Sequence, residues 1–217
     1  IVALDGTPLQ IPIASVELLA HGVKVEIIKD AGDDPDITNG TSVFITFSFL
    51  TQEQLQPVYG QSILYKQILF EAGQGIGHAT KPGLSLAVGE PAINPGPRQL
   101  VYNSIKDIIG DKACLVRVDI PAGTELATKT LNPVLGIEGG ISVIGTTGVL
   151  RPMSEEAFKN SLVPQIEVAK AAGFTTQIFV PGKIGERIAT SWGLPKEAMV
   201  QTSNFIGFML EAGADHG

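Results

Sequence analysis

The stretch from Lys81 to Arg98, reading Lys-Pro-Gly-Leu-Ser-Leu-Ala-Val-Gly-Glu-Pro-Ala-Ile-Asn-Pro-Gly-Pro-Arg, limits the folding of this chain more than any other. Its last ten residues alone hold five prolines and glycines. Proline fixes φ and lacks an amide donor, and glycine readily takes φ > 0, so the stretch predicts an irregular loop rather than a helix or an interior strand. Long stiff loops are more often binding surfaces than linkers. Charged groups are set into this one at Lys81, Glu90 and Arg98. A similar segment lies upstream, Lys29-Asp30-Ala31-Gly32-Asp33-Asp34-Pro35-Asp36. Another lies downstream, Gly139-Gly140-Ile141-Ser142-Val143-Ile144-Gly145-Thr146-Thr147-Gly148. Together the three segments outline a site.

Composition sets the outer limits. With 217 residues the chain can form one large domain or two small ones with an ample core. A hydrophobic content of 44% with 6% aromatics suits a soluble α/β or α+β protein. No apolar run reaches the roughly 18 residues that a membrane helix needs. The single cysteine, Cys114, sits in the apolar run Ala113-Cys114-Leu115-Val116 and reads as a small buried hydrophobe rather than a reactive thiol. No disulfide can form within the chain, which fits a reducing cytoplasm. The 15 basic and 22 acidic residues leave a net charge of −7, which argues against a general nucleic-acid binder. An acidic ligand would therefore be held by a few placed cations. The chain opens at Ile1 without methionine or a secretory pattern and closes on Glu211-Ala212-Gly213-Ala214-Asp215-His216-Gly217, which looks like an interrupted element. Both ends lead us to expect missing residues.

Two textures follow one another. Residues 1–130 are strand-rich: Ile1–Leu4, Leu9–Val16, Val23–Ile28, Ser42–Phe49, Ser62–Phe70 and Ala113–Ile120 read as strands, with a helix at Pro97–Ile109 ended by Gly110. That order predicts an α+β domain. From about Leu131 the pattern alternates. Ile141–Gly145 reads as a strand, and Ser154 caps a helix that runs to about Ala172 with a break or kink near Pro164. Thr175–Val180 follows as a strand, Ile184–Ser191 as a helix, Met199–Thr202 as a strand and Phe205–Ala212 as a helix. Alternation of this kind predicts a second, α/β domain at 131–217 with a small parallel sheet and crossover helices.

Three groups of residues could carry chemistry. Glu71-Ala72-Gly73-Gln74-Gly75-Ile76-Gly77 follows an apolar strand and spells acid-x-Gly-x-Gly-x-Gly, the glycine turn by which Rossmann-type methyltransferases meet S-adenosylmethionine. The helix that should follow is replaced by Thr80-Lys81-Pro82-Gly83, so a ligand loop of another kind and a purely structural turn both stay open. Gly145-Thr146-Thr147-Gly148 leaves the first strand of the second domain, where open α/β sheets bind ligands; a tight strand exit is the alternative. Asp30, Asp33, Asp34 and Asp36 beside Lys29 could supply a general base, a cation site or a solvated turn, and their spacing is not that of an EF-hand. The histidines His21, His78 and His216 show no metal-ligand spacing, and no nucleophile motif is present. Lys81, Arg98, Lys129 and Arg151 flank the loops as possible carboxylate partners.

Longer strings carry a resemblance. Lys-Asp-Ala-Gly-Asp-Asp-Pro-Asp-Ile-Thr (29–38), Gly-Gln-Gly-Ile-Gly-His-Ala-Thr-Lys-Pro-Gly-Leu (73–84) and Val-Gly-Glu-Pro-Ala-Ile-Asn-Pro (88–95) resemble the CbiD family of cobalamin-biosynthesis methyltransferases. So do Thr-Leu-Asn-Pro-Val-Leu-Gly-Ile-Glu-Gly-Gly-Ile-Ser-Val-Ile-Gly-Thr-Thr-Gly (130–148), Arg-Pro-Met-Ser-Glu-Glu-Ala (151–157) and Ser-Asn-Phe-Ile-Gly-Phe-Met-Leu (203–210). The match runs in order through nearly the whole chain. It implies S-adenosylmethionine-dependent methylation of C-1 of cobalt-precorrin-5B, giving cobalt-precorrin-6A on the anaerobic route to vitamin B12. It also implies an α+β domain resembling a permuted ribosomal-protein fold followed by a parallel α/β domain, not a standard Rossmann methyltransferase.

On this reading S-adenosylmethionine is the co-substrate and cobalt enters only within the substrate, with no protein-held metal. Gly73, Gly75, Gly77, Gly145, Thr146, Thr147 and Gly148 would meet the donor. Lys29, Lys81, Arg98 and Arg151 would pair with carboxylates on the rim of the macrocycle, and Asp33, Asp34 or Glu90 would take the proton released. Members of the family begin with a helical Thr-Thr-Gly segment and finish with a glycine- and histidine-bearing stretch. Neither is found here, which leaves open whether this length of chain is active alone. The rival readings are an ATP-dependent small-molecule kinase, against which stands the lack of a Gly-x-x-x-x-Gly-Lys-Ser/Thr run, and a non-catalytic tetrapyrrole carrier. No nucleic-acid or membrane partner is expected, and the oligomeric state is not legible.

Overall fold

The computed structural model describes residues 10–32, 36–145 and 155–216. Strand β1 (Ser15–Leu19) turns directly into β2 (Gly22–Ile28), which pairs antiparallel with β3 (Ser42–Phe49). Among the described residues the first strand therefore starts later than the expected Leu9–Val16, and the expected Ile1–Leu4 lies outside them. Pro12 lacks the donor that a ladder needs at that point. The run Ser62–Phe70 is likewise not one strand but a hairpin of β4 (Ser62–Tyr65) and β5 (Ile68–Ala72). Lys66 makes the turn at φ 56°, a left-handed conformation that breaks the apolar run in two. After the short β6 (His78–Ala79) comes helix α1 (Pro95–Ile109), and the chain returns as β7 (Cys114–Asp119), parallel to β5.

The end of the proline-rich stretch departs from the expected loop: α1 starts at Pro95, two residues before the expected Pro97, so Pro95–Arg98 is its first turn. Proline is tolerated at that position because first-turn amides have no helical partner to lose. The sheet order is β1-β2-β3-β7-β5-β4, with β5 and β7 its one parallel pair among the described residues. This is a mixed sheet in an α+β arrangement. Strand alternation sends Ile68, Phe70, Cys114, Val116 and Val118 to one face, where they pack with Val101, Tyr102, Ile105 and Ile109 of α1. Cys114 is fully buried here, and burial pushes its thiol up to about 11. The opposite face carries a polar row across all six strands, Glu17, Lys24, Thr46, Arg117, Glu71 and Ser62.

Two short helices, α2 (Gly123–Ala127) and α3 (Asn132–Leu135), lead to β8 (Ile137–Glu138), which pairs with β6. Ile141–Gly145, expected as the first strand of a second domain, makes only single bridges, Ile76 to Ile141 and Ile93 to Val143. It passes between two different partners, so no continuous ladder forms.

The chain divides into two compact units, Ile1–Thr80 with Ser85–Pro152, and Lys81–Leu84 with Met153–Gly217. Residues 131–145 therefore belong to the first unit, whereas the change of texture near Leu131 set the expected boundary at 130/131. In the second unit α4 (Glu155–Leu162) and α5 (Pro164–Ala171) are separate helices, with Pro164 opening the latter. The chain continues through β9 (Ile178–Val180), α6 (Gly182–Ser191), β10 (Met199–Gln201) and α7 (Ile206–Asp215). Strands β9 and β10 form the parallel pair that the sequence alternation implied. The buried Gln165 side chain stands beside β10, accepting the Gln201 N–H at 3.0 Å and donating to the Gln201 carbonyl at 3.2 Å.

Gly40 and Gly75 have nearly the same left-handed backbone, φ 74° and 76°. A Cβ at Gly40 would meet nothing within 4 Å, whereas at Gly75 it would lie 1.9 Å from the Ile120 carbonyl oxygen. Gly40→Ala should cost about 1 kcal/mol of unfolding free energy, the left-handed penalty alone. Gly75→Ala should cost at least about 3 kcal/mol, because backbone must also move. Denaturant titration of both variants checks this, and equal costs would contradict it.

Candidate functional site

Because β5 and β7 are parallel, their carboxyl ends emerge at the same edge of the sheet, where loops of α/β sheets commonly meet ligands. Strand β5 exits into Gly73–Gly77 and β7 into Ile120–Gly123. The two exits are laced together, Gly73 N–H donating to Val118 O at 2.8 Å and Ile120 N–H to Gln74 O at 2.8 Å. The Gly75 carbonyl then accepts Ile141 N–H at 2.9 Å. Added Cβ atoms at Gly123 and Gly140 would come within 2.2 and 2.1 Å of that oxygen. Only glycine lets three backbones approach one carbonyl so closely.

The lacing continues outward. Gly77 N–H donates to Ile141 O at 3.0 Å, Ala92 N–H to Gly77 O at 2.7 Å and Val143 N–H to Ala92 O at 2.7 Å. Asn94 N–H donates to Val143 O at 3.0 Å, and Ala79 N–H to Glu90 O at 2.9 Å. Two of the three segments singled out by sequence, Lys81–Arg98 and Gly139–Gly148, thus meet the Gly73–Gly77 turn in one hub through residues 89–94 and 139–143.

The glycine turn does not lead into a helix, as a Rossmann turn would, but into β6. Gly75 and Gly77 are buried, and the Gly73 and Gly77 amides are spent on protein carbonyls. Each glycine has its own structural reason. Gly73 makes room for the Asp119 carboxylate, Gly75 for Ile120, and Gly77 for the carbonyls of Gly140 and Glu138. Between them, Gln74 is exposed.

Two charged groups stand at the hub. Glu90 and Arg98, flagged separately as a base and a carboxylate ligand, are bonded to each other: Arg98 Nη2 donates to Glu90 Oε2 at 3.2 Å and Nε to the Ile93 carbonyl at 2.6 Å. The Arg98 side chain is only 8% exposed, so it ties the start of α1 to the Glu90–Ile93 loop. The second group escaped the sequence reading. Arg117 Nε and Nη2 hold the two oxygens of Asp119 at 3.0 Å each, and Nη1 reaches Glu71 Oε1 at 2.6 Å. Asp119 Oδ1 also accepts Gln74 N–H at 2.7 Å. Burial pushes the Asp119 carboxyl up, but hydrogen bonds from Arg117 and Gln74 and the charges of Arg117 and Lys24 outweigh it and hold the group below the usual range. The signal was available. In Cys-Leu-Val-Arg-Val-Asp the polar Arg117 and Asp119 fall on one side of the strand and Cys114, Val116 and Val118 on the other.

Lys29 pairs with Asp36 and donates to the Thr38 hydroxyl within its own turn, which Asn39 closes by accepting Ala31 N–H at 2.9 Å. Of the candidate base residues there, Asp33 and Asp34 lie outside the described residues, as do Thr146, Thr147, Gly148 and Arg151. Gly145 is exposed with open space around it. Lys81 belongs to the second unit. Among the described residues no group of three or more His, Cys, Asp or Glu could hold a metal ion, and no helix is long and apolar enough to cross a membrane.

These features define an α+β protein whose mixed sheet ends in a glycine-locked hub of loops rather than in a Rossmann nucleotide turn. The chain belongs to the CbiD family, whose model matches residues 1–152. It is 48% identical over 188 residues to the cobalt-precorrin-5B C(1)-methyltransferase of Moorella thermoacetica, covering 86% of this chain and 48% of that protein. It is 44% identical over 216 residues to the protein of the same name from Methanocaldococcus jannaschii, covering 99% of this chain and 56% of the other. The chain thus spans about half the length of these relatives. A crystal structure of the cobalamin biosynthesis protein cbiD from Archaeoglobus fulgidus aligns with a TM-score of 0.41 at 19% identity, covering 91% of this chain and 59% of that one.

Asp36 gives the clearest pH test in the upstream turn. Burial raises its carboxyl, yet the hydrogen bonds from Lys29 and Thr38 and the Lys29 charge bring it below its ordinary value. A carboxylate held low in the folded state stabilises above its unfolded pKa of about 3.9, and that stability is lost as pH falls through the lower folded value. The stability gap between the parent and Asp36→Asn should therefore be full above about pH 5 and close as the solution is acidified. A gap unchanged between neutral and strongly acidic pH, measured by urea unfolding, would contradict the assignment.

Proposed function

We propose that this chain carries the methyl-transfer machinery of an S-adenosylmethionine-dependent enzyme acting on C-1 of cobalt-precorrin-5B to give cobalt-precorrin-6A in the anaerobic cobalamin route. The observation that carries the reading is membership of the CbiD family, together with the name shared by two relatives at 48 and 44% identity. S-Adenosylmethionine supplies an activated methyl group: the S–CH3 bond breaks as C-1 of the ring provides the electron pair for the new C–C bond, and sulfur keeps the old pair as a thioether. Cobalt belongs to the substrate. The first unit would be the permuted ribosomal-protein-like part of the family fold and the protein would work in the cytoplasm.

The hub supports a donor site at Gly73–Gly77. Gln74 is exposed beside Asp119, whose carboxylate and that of Glu71 both pair with Arg117, while Lys24 adds a further positive charge near Asp119. Carboxylates beside the turn suit a sulfonium, whose attraction grows as water is excluded. Gly145, Thr146, Thr147 and Gly148 would extend the donor site. Lys29, Lys81, Arg98 and Arg151 would face the carboxylates of the macrocycle, with Asp33, Asp34 or Glu90 as proton acceptor. For Arg98 the task at the hub is already partly set: its ion pair with Glu90 leaves it fewer donors for substrate. Rate would come mainly from holding the methyl group in line with C-1.

Calorimetric titration with S-adenosylhomocysteine and, in parallel, ATP tests the reading. Saturable binding of the thioether with no ATP binding is the expected result. Binding of ATP alone would replace methyl transfer by phosphoryl transfer.

A further inference from the structure

The Asp119–Arg117 pair is over-built for structure alone. The ends of the Gly73–Gly77 turn are already fixed by backbone, through Gly73 N–H to Val118 O and Ile120 N–H to Gln74 O, both at 2.8 Å. Gln74 itself is exposed, and an exposed amide can be satisfied by water without penalty. Nevertheless its N–H is taken at 2.7 Å by a carboxylate that is only 15% exposed and is gripped at both oxygens by Arg117. The same carboxylate dictates glycine at 73, where a Cβ would lie 2.1 Å from Asp119 Oδ1 and 2.2 Å from its Cγ. Arg117 in turn is anchored to the other parallel strand by Glu71, at 2.6 Å. A forked charge pair, bridging both strand ends, thus fixes the peptide direction of the one exposed residue in the glycine turn.

We propose that Asp119 is a positioning residue for the methyl-donor site: oriented by Arg117, it sets the Gln74 peptide so that the exposed tip of the turn is pre-formed for an adenosyl sulfonium ligand. This rests on the donor reading of the turn given above. Bidentate, charge-assisted contacts are the ones able to hold such a direction against solvent, and pre-forming a loop strengthens binding by removing the ordering cost from the binding step.

The test is the affinity of the 217-residue chain for S-adenosylhomocysteine, measured by calorimetry, together with exchange of the Gln74 amide followed by NMR. Asp119→Asn should weaken binding by about tenfold or more and speed Gln74 exchange, while core amides of β7 keep their protection. Arg117→Lys, which keeps the charge and loses the fork, should show the same pair of effects in smaller measure and serves if the first variant fails to fold. Affinity within about twofold of the parent with faster Gln74 exchange would overturn the proposal, since a loosened tip would then not matter to the ligand. Weaker binding with unchanged Gln74 exchange would overturn it too, because the carboxylate would be acting on the ligand directly. No binding by the parent chain would instead remove the donor reading itself, and the positioning role with it.

Discussion

A single buried carbonyl organises the functional end of the first unit. The Gly75 oxygen accepts Ile141 N–H, and Gly123 and Gly140 lie so near that a Cβ on either would come within 2.2 and 2.1 Å of it. Through that point the exits of β5 and β7, the stretch after β6 and the segment following β8 are brought to one place. A buried carbonyl must be paired, and here its partner comes from residues 66 positions along the chain (141 − 75). The contact therefore imposes order on a loop-rich region that has little regular secondary structure to supply it.

Around that centre the charges are arranged to hold loops rather than to decorate a surface. Arg98 and Glu90 pin the proline-rich loop to the first turn of α1, and Arg117 joins Glu71 of β5 to Asp119 of its own strand. Arg98 is nearly buried, so removing Glu90 would leave its charge uncompensated and loosen that tie. The more exposed Arg117 is partly screened by solvent and holds mainly by the geometry of its fork. A protein with a net charge of −7 thus holds its arginines at the hub individually, each by a carboxylate, rather than as a basic field. The upstream turn is organised in the same manner on a smaller scale, with Lys29 committed to Asp36 and Thr38.

Regular elements were legible because their patterns are local. Alternation marked β2 and β3 to the residue or nearly so, and apolar spacing with Gly110 marked the end of α1. Errors arose where one residue overrides a pattern: Lys66 at φ 56° splits an apolar run, and Pro95 opens a helix in a stretch otherwise built to resist one. The candidate site was legible as a set of unusual strings and not as contacts. Gly75, Glu90, Arg98 and Gly140 all lie in strings that attracted notice, but nothing in sequence showed that Glu90 faces Arg98 or that Gly140 lies against Gly75. Glu71 and Arg117 likewise face each other only because the sheet order places β7 beside β5. Asp119 was missed because it closes a strand that reads as core, with its polar neighbour Arg117 two residues back on the same face.

Native-state hydrogen exchange across the hub tests the central claim most directly. If the Gly75 carbonyl holds the segments as one unit, the amides of Gly77, Ala92, Ile141 and Val143 should exchange slowly and with a common opening free energy, and Gly75→Ala should accelerate all four together. Independent exchange, with residues 139–143 opening freely while Gly77 and Ala92 stay protected, would contradict the hub.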